Sequence, residues 1–119
     1  MLELAPGWGR NTARLVNHSK EIHLVDLNQS CIDRCKARFG DYTGPCKLHY
    51  YVNDGYSLPE IKDESISFIY SFDSMVHFDR LVVKEYFKEF SRVLWKSIGN
   101  PMPFGPGEMT LVVNHRHCP

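Results

Sequence analysis

The chain begins with a short apolar segment that runs directly into a Gly-Trp-Gly turn, and this feature most constrains how it can fold. Residues 1–4 favour a strand, and residues 10–16 favour a helix. Gly7 and Gly9 let the backbone between them turn sharply and let a ligand approach closely. Because the first N–H groups of a helix have no partner within it, such a corner can bind an anionic group. A tight turn that only packs has the same sequence, so other signals must decide.

A second strand-like segment, Glu-Ile-His-Leu-Val-Asp, ends at Asp26, seventeen residues after Gly9. In a doubly wound sheet, an acidic residue at the tip of the second strand faces the ribose of a nucleotide bound over the first turn. A carboxylate can accept hydrogen bonds from two neighbouring hydroxyl groups. The alternative is that Asp26 caps the next helix, but Asn28 is well suited to that position.

The remaining pattern alternates helices with strands. We expect a helix over 29–39, a strand over 47–52, an apolar strand over 66–72 and a helix over 80–94. The apolar run without alternation in 66–72 is typical of a strand covered on both faces. In the last helix we expect a buried apolar stripe of Val83, Phe87, Phe90 and Leu94, supplemented by Tyr86 and Val93.

Four segments of this pattern resemble successive motifs of the class I S-adenosylmethionine-dependent methyltransferases. They are residues 3–9, Val25-Asp26-Leu27, Asn53-Asp54-Gly55 and residues 69–77. The resemblance covers the chain up to Leu94 and implies a doubly wound, mostly parallel Rossmann-like α/β sheet of strand order 3-2-1-4-5. In such a sheet the ligand lies across the carboxyl ends of strands one and four, where the strand order reverses.

The resemblance also implies a role for particular residues toward the cofactor S-adenosylmethionine. The backbone around Ala5, Gly7 and Gly9 receives its methionine end, and Glu3 accepts from its ammonium group directly or through water. Asp26 holds the ribose. Leu27 packs on the adenine, and Asp54, with Gly55 beside it, addresses the edge of the adenine. Ser71 and Phe72 close the other side of the crevice. Turn chemistry alone would also place Asn, Asp and Gly at 53–55.

His77 follows the fourth strand and is the expected catalytic residue, because an imidazole near neutrality can orient a methyl acceptor or accept its proton. The alternative is a histidine that only packs in a loop before a helix. No metal is expected, because transfer from a sulfonium requires none. His115, His117 and Cys118 are metal-ligand residue types, but they lack a second ligand group.

The sequence departs from the family pattern after Leu94. Residues 95–107 form a Pro- and Gly-rich loop, and residues 109–114 can form a fifth strand. The family's last strands are not apparent, so we expect residues 1–119 to form a single, partial methyltransferase domain. Strand five would then be an open sheet edge, which favours self-association.

Composition restricts the partners. Lys plus Arg and Asp plus Glu are both 14, so no excess of positive charge favours nucleic acid or an anionic membrane. No apolar run is long enough to span a membrane. Four cysteines without paired C-x-x-C spacing favour reduced thiols and a cytoplasmic protein.

These features predict methyl transfer to a small-molecule acceptor by in-line displacement. One alternative is a chain that binds the cofactor but is catalytically inactive, as a fragment or a partner subunit. A second is a NAD-dependent oxidoreductase, whose fingerprint requires a third glycine where this chain has Thr12. A nucleoside-triphosphate enzyme is disfavoured because no Gly-Lys-Ser/Thr follows the turn.

Overall fold

A computed structural model describes residues 1–71 and 78–95 of the chain, together with the backbone of 108–109. The described residues form a sheet of five parallel strands and three helices. The strands are β1 (Leu2–Leu4), β2 (Glu21–Asp26), β3 (Lys47–Val52), β4 (Phe68–Tyr70) and β5 (Glu108–Met109). The helices are α1 (Thr12–Leu15), α2 (Gln29–Arg38) and α3 (Arg80–Val93).

The strand order is β3-β2-β1-β4-β5, and every pair of neighbours is parallel. β1 lies in the middle, with Leu4 opposite Val25 of β2 and Glu3 opposite Tyr70 of β4. Strands β2 and β3 therefore lie on one side of β1, and β4 and β5, which come later in the chain, lie on its other side. The predicted fold class and strand order are confirmed, and the reversal falls between β1 and β4.

Local chemistry accounts for the ends of the two longer helices. The side chain of Asn28 accepts from the backbone N–H of Ser30 at the start of α2, as predicted. Asp79 does the same for Leu81 at the start of α3. The prediction for α1 was wrong in length: the helix covers four residues rather than 10–16, because the turn continues through residue 11.

The two faces of the sheet carry separate apolar cores. One packs α2 against β2 and β3 and centres on Ile22, Leu24 and Cys35. The other packs α3 against β1 and β4. Tyr86, Phe90 and Val93 of the predicted stripe of α3 are buried, and Val83 and Leu94 pack against the core as partly buried residues. Phe87 is 40% exposed, so its assignment to the stripe was wrong. The Tyr86 hydroxyl accepts a hydrogen bond from the Asn53 side chain, which holds this orientation.

β4 is shorter than the predicted strand over 66–72. Ile66 forms an isolated parallel bridge with Leu94, at the end of α3, and β4 proper begins at Phe68. Of the predicted fifth strand over 109–114, Met109 pairs with Ile69, and residues 110–114 lie outside the described part, as does most of the 95–107 loop. Within the described residues, no helix has the length and apolar character needed to cross a bilayer.

Candidate functional site

The turn after β1 places three consecutive odd-numbered residues in the left-handed region of backbone space. Ala5 has φ of 57°, Gly7 of 61° and Gly9 of 83°. The Ala5 N–H donates to the carbonyl of Val25 at 2.7 Å, so the sheet pairing with β2 continues one residue beyond β1. A left-handed φ is sterically unfavourable for alanine, so the surrounding structure must hold Ala5 in this conformation.

The two glycines of the turn serve different physical needs. A Cβ atom added at Gly7 would meet no heavy atom within 4 Å. One added at Gly9 would lie 2.8 Å from the ring of Phe39, the residue that follows α2. Gly9 is therefore required for packing the turn onto α2, whereas Gly7 leaves open space above the turn, where a ligand can approach.

Asp26 ends β2 beside this turn. Its Oδ2 accepts from the Gly7 N–H at 3.3 Å, and its Oδ1 accepts from the Asn28 N–H at 2.9 Å. The residue is 8% exposed, and Asn28 occupies the cap of α2, so the cap interpretation of Asp26 does not apply. Since each carboxylate oxygen has two lone pairs, both oxygens retain capacity to accept from a ligand hydroxyl.

Glu3 lies beneath the turn rather than on its surface. It is 2% exposed, and its carboxylate accepts from the Thr12 hydroxyl on α1, which is also fully buried. Burial raises the pKa of Glu3 to about 7, although the hydrogen bond from Thr12 acts in the opposite direction. Glu3 therefore joins β1 to α1 from a buried position.

Leu27 and the 53–57 loop lie next to each other, beyond the end of β2. Leu27 is 62% exposed, and a Cβ at Gly55 (φ 93°) would lie 3.4 Å from its side chain. Asp54 folds back on its own loop and accepts from the N–H groups of Tyr56 and Ser57. The turn interpretation of this segment is therefore observed, and Leu27 with Gly55 presents an apolar surface beside Asp26.

Ser71 lies at the carboxyl end of β4, next to β1. It is 1% exposed, and its hydroxyl donates to the carbonyl of Leu4 at 3.3 Å, which ties the two strands together at the reversal of strand order. Phe72 and His77, the other residues expected here, lie outside the described residues.

Sequence reasoning missed three side chains of α2 that hold the turn in place. The Cys35 thiol donates to the Gly7 carbonyl at 3.3 Å, and burial raises the pKa of this thiol to about 11, which keeps it protonated. The guanidinium of Arg34 stacks 4.0 Å from the ring centroid of Trp8, and Arg38 donates to the Trp8 carbonyl. The available signal was the spacing of these residues on one side of α2.

Comparison with known proteins adds to this geometry. A family model described as a methyltransferase domain matches residues 1–97. Among curated proteins, none matches the sequence. Many solved structures match, including the PH0226 protein of Pyrococcus horikoshii, with a TM-score of 0.74 and 25% identity over 92% of this chain and 43% of that one.

Two further matches contain S-adenosylhomocysteine. One is geranyl diphosphate C-methyltransferase from Streptomyces coelicolor, with a TM-score of 0.73 and 15% identity over 94% of this chain and 37% of that one. The other is phosphoethanolamine N-methyltransferase 1 from Haemonchus contortus, with a TM-score of 0.66 and 18% identity over 80% of this chain and 20% of that one. This chain therefore spans less than half the length of these structures.

Proposed function

Because the chain belongs to the methyltransferase domain family, we propose that it binds S-adenosylmethionine across β1, β2 and β4 and serves methyl transfer to a small-molecule acceptor. The observation that carries this proposal is the position of Asp26. Its carboxylate lies against the Gly7 N–H at the mouth of the turn, where spare lone pairs can accept from both ribose hydroxyls.

The residues around Asp26 fit such a ligand. The space above Gly7 is open, so the backbone can be approached closely. Leu27 offers an exposed apolar surface to a flat aromatic ring, and Gly55 beside it lacks a side chain that would obstruct that surface. A polar group for the sugar and an apolar one for the base thus lie next to each other, as nucleoside sites require.

Each predicted site residue has a place in this proposal. The backbone at Ala5, Gly7 and Gly9 holds the methionine end, and Glu3 acts through water because it is buried under the turn. Ser71, with Phe72, bounds the crevice beyond β1. Asp54 orders the loop that carries Gly55, and its remaining lone pairs address the edge of the adenine.

The chemistry proposed for the site is in-line displacement. When bound, S-adenosylmethionine supplies an electrophilic methyl group on a positively charged sulfur. The protein holds the acceptor in line and excludes water, and orientation of this kind contributes several kcal/mol. His77 is proposed to orient the acceptor or take its proton.

A small-molecule acceptor in the cytoplasm completes the proposal. The matched enzymes from Streptomyces and Haemonchus were solved with geranyl diphosphate and phosphoethanolamine, which are small molecules. The equal numbers of acidic and basic residues disfavour a nucleic acid acceptor. Cys31, Cys35 and Cys46 are free thiols, which supports a reducing compartment.

Calorimetric titration of the purified protein tests the binding step. We expect S-adenosylhomocysteine and S-adenosylmethionine to bind and NAD not to bind. In Asp26→Asn the affinity should fall about 10- to 100-fold, because a charged hydrogen bond contributes about 1.5–3 kcal/mol. Asp33→Asn is the matched control, since Asp33 is exposed on α2. Binding of NAD without binding of S-adenosylmethionine or S-adenosylhomocysteine would favour the oxidoreductase. If Asp26→Asn and Asp33→Asn bind S-adenosylhomocysteine with equal affinity, Asp26 is not part of the site.

Transfer itself is tested by incubating the protein with methyl-labelled cofactor and a cell extract. We expect label to enter the small-molecule fraction, detected by mass spectrometry. Cofactor binding without any labelled product would favour the alternative in which the chain binds the cofactor but is catalytically inactive, as a fragment or a partner subunit. Melting temperature should rise on cofactor binding in either case, because ligands that bind the native state stabilise it.

A further inference from the structure

A cluster of two histidines and a glutamate lies at the opposite end of β2 from Asp26. His23 of β2 and His49 of β3 are direct partners in the parallel register, so their side chains share one face of the sheet. Glu21 precedes His23 by two residues and therefore lies on the same face. Five residues of extended strand, about 16 Å, separate Glu21 from Asp26, so this cluster is not part of the cofactor site.

The polar atoms of the cluster converge. Glu21 Oε1 lies 3.0 Å from His23 Nε2 and 3.3 Å from His49 Nε2. One ligand atom from each of the three residues falls within 4.8 Å of the others. Ligands bound tetrahedrally at about 2.0–2.1 Å from a zinc ion lie about 3.3 Å from one another. The two distances from Glu21 therefore match the spacing that a single ion needs, and the ligand atoms of the two imidazoles lie within 4.8 Å of each other.

The His23 imidazole is also oriented for a ligand at Nε2. The Tyr51 hydroxyl lies 3.1 Å from His23 Nδ1, and such a partner on one ring nitrogen directs the other toward a metal. The rings of His23 and His49 stack with centroids 4.7 Å apart. His49 Nε2 is buried and makes no hydrogen bond in the described structure, although Glu21 Oε1 is near it. A buried polar atom without a partner calls for an explanation, and a bound cation provides one.

We propose that Glu21, His23 and His49 bind a divalent transition-metal ion, with Zn²⁺ the best fit to two imidazoles and a carboxylate. The fourth position would be open to water, because three protein ligands do not complete a tetrahedral site. All three side chains are partly exposed, at 48%, 19% and 40%, so an ion can enter from solvent. The ion would join the edge strand β3 to β2 and add to the backbone pairing and the packing on α2 that already hold β3.

Zinc titration of the chelator-treated protein tests this proposal. We expect one Zn²⁺ per chain at this site and a zinc-dependent rise in melting temperature. Glu21→Gln, His23→Gln and His49→Gln should each weaken binding at least about tenfold, and Tyr51→Phe about tenfold, because it removes the partner that orients His23. His18→Gln is the matched control, since His18 is exposed and is not one of the three clustered residues. Circular dichroism of each metal-free variant checks that it folds.

Substitution by Co²⁺ separates this site from other zinc-binding groups. We expect visible bands of tetrahedral nitrogen and oxygen coordination without a thiolate charge-transfer band. A His117→Gln and Cys118→Ser variant should keep the bands, whereas His49→Gln should lose them. Zinc affinity that is unchanged in all three ligand variants, or absent in the wild-type protein, would overturn the proposal and leave an ordinary histidine–carboxylate pair.

Discussion

Replacement of Glu3 by Gln should stabilise the protein at neutral and alkaline pH. The carboxyl group is buried, and its pKa rises from 4.5 to about 7 in the folded chain. The native state therefore holds this proton more tightly than the unfolded state does. The contribution of Glu3 to stability is then fully present below pH 4.5 and is lost as the pH rises through about 7, where the buried group ionises.

The size of this effect follows from the displaced pKa. At about 1.4 kcal/mol per pH unit, ionisation of Glu3 costs about 3 kcal/mol. Gln cannot ionise, and its side-chain oxygen can still accept from the Thr12 hydroxyl. The free energy of unfolding of Glu3→Gln, relative to wild type, should therefore increase by about 3 kcal/mol between pH 4.5 and pH 8.

Urea unfolding at several pH values between 4.5 and 8 measures this difference. The control is Glu60→Gln, which removes an exposed carboxyl group and should change the free energy of unfolding by less than about 0.5 kcal/mol. If the curves for wild type and Glu3→Gln run parallel across this range, the buried carboxyl group does not titrate as reasoned, and the account of the Glu3 environment fails.

Two pairs of substitutions test the turn and the anchoring of α3. Gly7→Ala should lower affinity for S-adenosylhomocysteine about tenfold and cost about 1 kcal/mol of stability, whereas Gly9→Ala should cost about 2–4 kcal/mol because its methyl group would also meet the Phe39 ring. Calorimetry and urea unfolding separate the two effects, and equal losses of stability would contradict the distinction. Arg92→Ala should cost about 2 kcal/mol, since its guanidinium binds two carboxylates and two loop carbonyls. Lys88→Ala removes an exposed ion pair on the same helix and should cost less than about 0.5 kcal/mol.

Much of the fold was accessible from hydrophobic pattern and turn chemistry. The bounds of β3 were predicted correctly, and α2 begins after its predicted Asn28 cap. The shortness of β4 was not accessible, because Ile66 pairs with Leu94, a residue far along the chain. The family assignment predicted from four motifs is confirmed by the match to residues 1–97.

The candidate site was predictable where it depends on spacing and not where it depends on packing. The distance along the chain from Gly9 to Asp26 indicated that Asp26 reaches the turn, and it contacts Gly7. The burial of Glu3 against Thr12 depends on how α1 packs, which spacing does not reveal. The pairing of His23 with His49 was equally hidden, because it depends on the register between two strands.

A crystal structure of the protein with S-adenosylhomocysteine tests the central claim most directly. The account predicts that both ribose hydroxyls lie within about 3.2 Å of the Asp26 carboxylate and that the adenine packs on Leu27. A nucleoside bound away from the corner between β1 and β2, or a ribose without contact to Asp26, would contradict it.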